Sequence, residues 1–116
     1  MYGIRSDDGY HPILDRIRVK TLNHGKHMLM TEFVLEKGAI LPEHAHPYEQ
    51  TGYLVSGRMR LHIGEAVREL APGDSWNIPG GVSHRAEVME GSVAIEVFHP
   101  AREDYLKYLN RMSIEE

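Results

Sequence analysis

Residues 38–57 read GAILPEHAHPYEQTGYLVSG, and residues 73–88 read GDSWNIPGGVSHRAEV. Together these two stretches contain three histidines and a glutamine at short spacings, namely His44, His46, His84 and Gln50. Imidazole nitrogens and amide oxygens both bind metal ions in proteins. The two stretches therefore predict one metal site that is built from two separate parts of the chain.

The spacing within the first stretch favours Gln50 over Glu49 as the fourth ligand. Side chains alternate between the two faces of an extended chain, so His44 and His46 point to the same face. Gln50 keeps this even spacing, whereas Glu49 faces the other way if the chain stays extended through Pro47. A kink or bulge at the proline would reset the alternation.

The third histidine, His84, has to reach this site from a distant strand. The turn-forming residues Pro79, Gly80 and Gly81 stand just ahead of it and can direct its imidazole towards the other two. Three imidazoles and one neutral oxygen suit a divalent transition metal such as nickel, zinc, iron, manganese or copper. They suit calcium and magnesium poorly. We expect one such ion per chain.

The rest of the chain reads as short strands between turns, which is an all-β pattern. Turn residues separate the predicted strands, which are residues 16–20, 27–35, 50–55, 58–63, 66–70, 75–78, 84–88 and 92–98. Such a set favours a sandwich or a barrel. Residues 102–112 carry apolar side chains at helical spacing and predict a short C-terminal helix. Residues 1–10 read as an extended N-terminal arm.

Length and composition exclude several classes of protein. A chain of 116 residues with 41% hydrophobic content is expected to form one domain. The absence of cysteine excludes disulfides and thiolate metal sites and favours a cytoplasmic location. The 13 basic residues are scattered among 17 acidic ones, so no nucleic-acid partner is expected. The chain begins without the apolar core of a secretory signal, and no segment is apolar for long enough to span a membrane.

The two-part pattern of glycines, histidines and Gln50 resembles that of the cupin superfamily, over roughly residues 38–105. The resemblance implies a cupin double-stranded β-helix, which is a jelly-roll barrel, formed as a single domain by residues 1–116 with the metal inside. Cupins usually carry a glutamate as the fourth ligand. With Gln50 the site has one negative charge fewer, so a bound ion keeps more of its Lewis acidity. Such proteins often pair through the N-terminal arm, which implies a homodimer.

The C-terminal part resembles the small cupins of pectin and alginate breakdown, which convert unsaturated monouronates into their linear keto form. The matching residues are Glu96, Phe98 and Arg102. The resemblance implies that Glu96 moves a proton as general acid or base and that Arg102 binds the substrate carboxylate as a forked donor. Phe98 and Arg102 would surround the substrate. That group usually has an aspartate where this chain has Glu96, and the longer side chain can alter substrate choice.

Strand alternation independently predicts that Glu96 shares an inward face with Ala94 and Phe98. A competing interpretation is that Glu96 and Arg102 form a structural salt bridge between the last strand and the C-terminal helix. Three functions are therefore open. The first is a metal-dependent isomerase that linearises an unsaturated uronate, a small carboxylate substrate, without a redox step. The second is a metal-dependent dioxygenase, and the third is a non-catalytic cupin that binds a sugar or an effector.

Overall fold

The computed structural model describes residues 1–107. This part of the chain contains eight strands and one short helix. The strands are β1 (His11–Leu14), β2 (Ile17–His24), β3 (Leu29–Leu35), β4 (Ile40–His44), β5 (Glu49–Ile63), β6 (Ala66–Leu70), β7 (Ser75–Ile78) and β8 (His84–His99). The helix is α1 (Glu103–Leu106). All the strand pairs are antiparallel. The predicted all-β fold is confirmed.

The two longest strands, β5 and β8, form the centre of the barrel. They pair along almost their whole length, from Glu49 opposite His99 to Ile63 opposite His84. The C-terminal half of β8 also pairs with β3, and its N-terminal half pairs with β4. β7 and β6 pair with the two halves of β5, and β2 and β1 extend the sheet beyond β3. Two layers that share two long bent strands are a jelly-roll arrangement.

Two of the predicted turns are continuous strand in the structure. The segments 50–55 and 58–63 form the single strand β5, and the segments 84–88 and 92–98 form β8. The register between these strands shifts repeatedly between Leu54 and Met59, which marks bulges in place of a chain reversal. The turn-forming residues therefore lie at bulges within a continuous paired strand.

The two strands that the sequence did not predict, β1 and β4, each contain a proline, Pro12 and Pro42. Each pairs with one neighbour only, so each lies at an edge of the sheet. Proline lacks a backbone N–H and argues against a central strand, but an edge strand tolerates it. The two prolines are therefore the reason that the sequence did not predict these strands. One of them, β4, ends at the metal-ligand candidate His44.

Alternate side chains of the central strands point into one apolar core between the layers. Its largest almost fully buried apolar members are Ile17, Val19, Leu29, Leu54, Ile78 and Phe98. Burial of an aliphatic or aromatic side chain of this size contributes roughly 1.5–3 kcal/mol to stability. The packed core therefore keeps the strand ends that form the candidate site in fixed positions.

The N-terminal arm lies along β2 of its own chain. The Lys20 ammonium donates to the backbone oxygen of Ser6 at 2.6 Å, and the Asn23 amide donates to that of Met1 at 3.0 Å. Lys20 is almost fully buried, with 1% of its surface exposed. The homodimer that the arm suggested from the sequence stays a prediction.

The C-terminal helix begins close to its predicted start. α1 spans Glu103–Leu106, and residues 108–112 of the predicted helix lie outside the described residues. Two acidic residues occupy its first turn, as the helix dipole favours. Within residues 1–107, no helix is long and apolar enough to cross a membrane.

Candidate metal centre

Three histidines and a glutamine meet at one end of the barrel. His44 ends β4 and lies opposite His84, the first residue of β8. His46 lies in the loop that follows β4, and Gln50 is the second residue of β5. One ligand atom from each histidine lies within 4.8 Å of the others. The structure therefore brings together three histidines that could hold a metal ion.

Each histidine directs one ring nitrogen to its own backbone. Nδ1 lies 2.8 Å from the Pro42 oxygen in His44, 3.0 Å from the Tyr48 oxygen in His46, and 2.9 Å from the Val82 oxygen in His84. A carbonyl oxygen accepts a hydrogen bond, so Nδ1 carries the proton in a neutral ring. The lone pair then lies on Nε2. This tautomer leaves Nε2 available as a ligand atom.

Burial keeps two of the imidazoles neutral. Desolvation, followed by the positive charge of Arg102, lowers the pKa of His46, against opposing contributions from Gln50 and the Tyr48 carbonyl. Desolvation also lowers the pKa of His84, which is 2% exposed. A neutral imidazole is the form that binds a metal ion. Near neutral pH, neither histidine would have to lose a proton before binding.

Gln50 is buried on the same side, with 4% of its surface exposed. Its Nε2 group donates to Glu96 Oε2 at 2.7 Å. Its Oε1 atom and His46 Nε2 are both buried, and neither has a hydrogen-bond partner in the described part of the chain. Buried polar atoms are rarely left unpaired. These two unpaired atoms and the imidazoles beside them fit a divalent transition-metal ion.

The segment between His46 and Gln50 is not the extended chain that the alternation of side chains assumed. Residues 45–48 belong to no strand, so these two residues are not members of one extended run. Instead, the alternation of side chains at the start of β5 decides which of Gln50 and Glu49 faces the histidines. There Glu49 is exposed and accepts a hydrogen bond from Asn77 Nδ2 at 3.2 Å, while Gln50 points inward.

The histidines and Gln50 line a cavity of about 60 Å³ inside the barrel. Its other polar or aromatic lining residues are Phe33, Trp76, Glu96, Phe98, Arg102 and Tyr105. All three residues suggested by the C-terminal resemblance therefore reach the same cavity as the histidines. Aliphatic side chains, Met59 and Ala residues complete the wall. This apolar wall lowers the local dielectric around the polar groups.

Glu96 faces inward, as strand alternation predicted. Its neighbours at even spacing, Ala94 and Phe98, are buried at 3% and 0% exposure. The carboxylate accepts one hydrogen bond at each oxygen, from Trp76 Nε1 at 2.6 Å and from Gln50 Nε2 at 2.7 Å. Desolvation raises the pKa of Glu96, although these two donors and the charge of Arg102 oppose the rise.

Arg102 does not form the salt bridge with Glu96 that was considered as an alternative. Its Nε and Nη2 groups donate to the two carboxylate oxygens of Asp104, at 3.2 and 2.7 Å. These bonds and the arginine charge lower the pKa of Asp104, although partial burial acts to raise it. The salt-bridge interpretation was wrong: the two oxygens of Glu96 pair with Gln50 and Trp76, and Asp104 takes the Nε and Nη2 groups of Arg102.

Aromatic rings surround the guanidinium of Arg102. Its central carbon lies 3.9 Å from the ring centre of Tyr105, 4.9 Å from Phe98 and 5.0 Å from Tyr48. Phe98 also meets the His46 ring at 6.0 Å between centres, with its plane turned by 70°. These rings fix the arginine beside the histidines. Each cation–π contact contributes roughly 0.5–2 kcal/mol, depending on burial.

Sequence reasoning missed Tyr48, Trp76, Asp104 and Tyr105. Trp76 offered a usable signal, because a buried tryptophan needs a partner for its N–H. The roles of Tyr48 and Tyr105 depend on where the loop after β4 and the start of α1 meet, and no spacing rule predicts that contact. Asp104 pairs locally with Arg102, two residues before it. His62, another strand histidine, lies outside the cavity lining and pairs with Glu87 at 2.9 Å.

The comparisons with known proteins agree with this architecture. A model of the Cupin domain family matches residues 31–99, which is more than half of the chain. The chain therefore belongs to the cupin family. It is similar to the pectin degradation protein KdgF of Dickeya dadantii (strain 3937), with 29% identity over 107 residues. The match covers 90% of this chain and 97% of that protein.

Two solved structures are similar over the same part of the chain. KdgF from Halomonas sp. superposes with a TM-score of 0.85 at 26% identity, covering 90% of this chain and 98% of that one. An RmlC-like cupin from Shewanella frigidimarina also gives a TM-score of 0.85, at 27% identity, covering 90% of this chain and 94% of the other. The similarity therefore extends over nearly the whole of each relative.

Proposed function

We propose that this chain is a metal-dependent isomerase that linearises an unsaturated monouronate. The observation that carries the proposal is the hydrogen bond between Gln50 and Glu96, which joins a ligand candidate to an inward-facing carboxylate. Arg102 lines the same cavity and can attract a substrate carboxylate. The similarity to a pectin degradation protein supports a sugar acid as the substrate. One ion of nickel, zinc, iron, manganese or copper would be held by His44, His46, His84 and Gln50.

The proposed reaction is an isomerisation. The anomeric hydroxyl loses a proton, the ring C–O bond breaks, and the anomeric carbon becomes an aldehyde. The released enolate then takes up a proton on carbon to give the keto form. Substrate and product contain the same atoms and electrons, so no oxidant or reductant is consumed. A bound divalent ion would supply Lewis acidity to a substrate oxygen at the anomeric end.

Glu96 is the candidate for the proton transfer. Glu96 lines the cavity, and burial raises the pKa of its carboxyl towards neutral pH. A group with a pKa near the working pH both accepts and donates protons efficiently. The hydrogen bonds from Trp76 and Gln50 hold the carboxyl in one position. A general acid or base held in place contributes typically about 100-fold to 10,000-fold to the rate.

Arg102 is the candidate for recognition of the substrate carboxylate. In the structure its Nε and Nη2 groups face Asp104, so the forked contact expected from the sequence is already occupied. We therefore propose that the substrate carboxylate meets the remaining Nη1 group. Phe98 and Tyr105 pack against the guanidinium of Arg102, which lines the cavity.

The test follows an unsaturated monouronate by NMR in the presence of the metal-loaded protein. We expect formation of the linear keto product faster than in buffer, and loss of this activity after chelation. Glu96→Gln should lower kcat at least about 100-fold. Glu87→Gln is the matched control, because Glu87 lies on the same strand and pairs with His62 outside the cavity lining. We expect it to keep the wild-type rate.

Arg102→Ala separates binding from chemistry in the same assay. Loss of a carboxylate contact should appear mainly as a higher KM, by about 10-fold or more, with a smaller change in kcat. Unchanged turnover in Glu96→Gln would contradict the proposed proton transfer. Consumption of oxygen together with an enol substrate would favour the dioxygenase, and tight binding of an unchanged uronate would favour the non-catalytic cupin.

A further inference from the structure

Trp76, Gly52 and Glu96 lie side by side on three neighbouring strands. Gly52 of β5 pairs with Trp76 of β7 on one side and with Glu96 of β8 on the other. Trp76 is the only tryptophan in the chain, and it is 9% exposed. A buried indole N–H without a partner would destabilise the fold. The partner here lies two strands away, so the indole has to cross β5.

Gly52 makes that crossing possible. A Cβ atom at this position would lie 2.2–2.4 Å from three atoms of the indole, which is far closer than van der Waals contact. The indole therefore lies directly on the backbone of Gly52. From there Nε1 donates to Glu96 Oε1 at 2.6 Å. Any side chain at position 52 would displace the indole.

The carboxylate of Glu96 in turn determines the orientation of the Gln50 amide. An ionised carboxylate only accepts hydrogen bonds, and Glu96 Oε2 faces Gln50 Nε2 at 2.7 Å. If the amide were flipped, Gln50 Oε1 would face Glu96 Oε2 with no proton between the two acceptors. The observed orientation leaves Oε1 buried and without a hydrogen-bond partner among the described residues, at the cavity that Gln50 lines together with the three histidines.

We propose that Trp76 is a positioning residue for the metal centre. Its N–H holds Glu96, and Glu96 holds the Gln50 amide with Oε1 turned towards the three histidines. This inference rests on the metal centre of the proposed function and is independent of the reaction assigned to it. Neither Trp76 nor Gly52 would touch the ion. Their effect on the metal passes through Glu96 and Gln50.

Trp76→Phe tests this role because phenylalanine keeps an aromatic ring over Gly52 and removes the N–H donor, together with the volume of one of the two fused rings. Outer hydrogen-bond partners of metal ligands typically change metal affinity by about 10-fold to 100-fold. We expect Trp76→Phe to bind Co²⁺ at least about 10-fold more weakly than the wild type. The visible absorption bands of bound Co²⁺ should also shift, because they depend on the number and position of its ligands.

Gly52→Ala is the second variant. It keeps the tryptophan but forces the indole away from Glu96, so it should weaken Co²⁺ binding and shift the Co²⁺ bands as Trp76→Phe does. Leu70→Met is the matched control, because it is a volume-conserving replacement at a buried position outside the cavity lining and leaves the hydrogen bonds of Glu96 intact. We expect wild-type affinity and wild-type bands from this control. Circular dichroism verifies that each variant is folded.

The measurement combines calorimetric titration with Co²⁺ and the absorption spectrum of the loaded protein. Quenching of the single tryptophan by bound Co²⁺ reports binding a second time in the variants that keep Trp76. Wild-type affinity and bands in both Trp76→Phe and Gly52→Ala would overturn the inference, as would a wild-type protein that binds no Co²⁺. A wild type that binds Co²⁺ but leaves an unsaturated uronate unchanged would overturn only the proposed reaction.

Discussion

At the scale of single residues, each candidate histidine ligand is oriented by a backbone oxygen two positions away in the chain. His44 uses Pro42, His46 uses Tyr48, and His84 uses Val82. These contacts are local, so the orientation of each ring depends on the chain directly next to it. In many metal sites a carboxylate performs this role. Here the groups that orient the three histidines add no negative charge, and the carboxylate of Glu96 reaches the site only through the neutral amide of Gln50.

The lowered pKa values of His46 and His84 predict how the metal-free protein responds to pH. In the unfolded chain these histidines titrate near their ordinary value of 6.5, whereas in the folded protein they take up protons only at lower pH. The unfolded state therefore binds more protons as the pH falls below about 6.5, and the free energy of unfolding decreases. Above about pH 7 this contribution is fully present and constant.

The measurement is urea denaturation of the chelated protein at about pH 7.5 and about pH 5.5. Glu96 acts in the opposite sense, because its raised pKa makes the folded state hold a proton more tightly than the unfolded chain above its ordinary value of 4.5. His84→Gln isolates the histidine contribution, since it leaves Glu96 in place. We expect a smaller loss of stability on acidification in this variant. An equal loss would contradict the assignment.

At the scale of elements, the decisive feature is that β5 and β8 bend together and pass from one layer of the barrel to the other. Gly57 stands in the bulged part of β5 with φ of 95°, a conformation that favours glycine. A Cβ here would lie 2.1 Å from Ser92 Oγ and 2.4 Å from the Gly91 oxygen. The bend therefore needs both the backbone freedom and the missing side chain of Gly57.

Gly57→Ala should destabilise the protein by more than backbone strain alone. Gly73→Ala is the matched control, because Gly73 has φ of 97° but a Cβ added there would meet no described atom within 4 Å. Strain of this kind costs roughly 1–3 kcal/mol. We expect the free energy of unfolding, measured with urea, to fall further in Gly57→Ala than in Gly73→Ala. Equal losses would show that the contact with β8 does not matter.

At the scale of the whole molecule, the candidate ligands come from β4, the loop after it, β5 and β8, so a bound ion would join elements from distant parts of the chain. An ion that binds only the folded state raises stability by mass action. At a metal concentration of about 100 times Kd the gain is about 2.7 kcal/mol. For a domain of this size, that shifts the Tm by on the order of 10 °C.

Thermal unfolding with and without added metal measures this shift. His46→Ala and His84→Ala should unfold at nearly the same temperature whether or not metal is added, because each removes a ligand candidate. His24→Ala is a suitable control, since His24 lies at the exposed end of β2 and is not part of the histidine group. A shift in His84→Ala as large as that of the wild type would place the metal elsewhere.

Spacing along the chain was enough to predict the all-β fold, the histidine group and the inward face of Glu96, because alternation within a strand is a local property of the backbone. Two strands were missed at Pro12 and Pro42, since only the assembled sheet shows that they lie at edges. The partners of Glu96 and the aromatic neighbours of Arg102 were likewise decided by tertiary structure. Trp76 reaches Glu96 across Gly52, and Tyr48 and Phe98 meet the guanidinium of Arg102, through contacts whose geometry exists only once separate elements have packed.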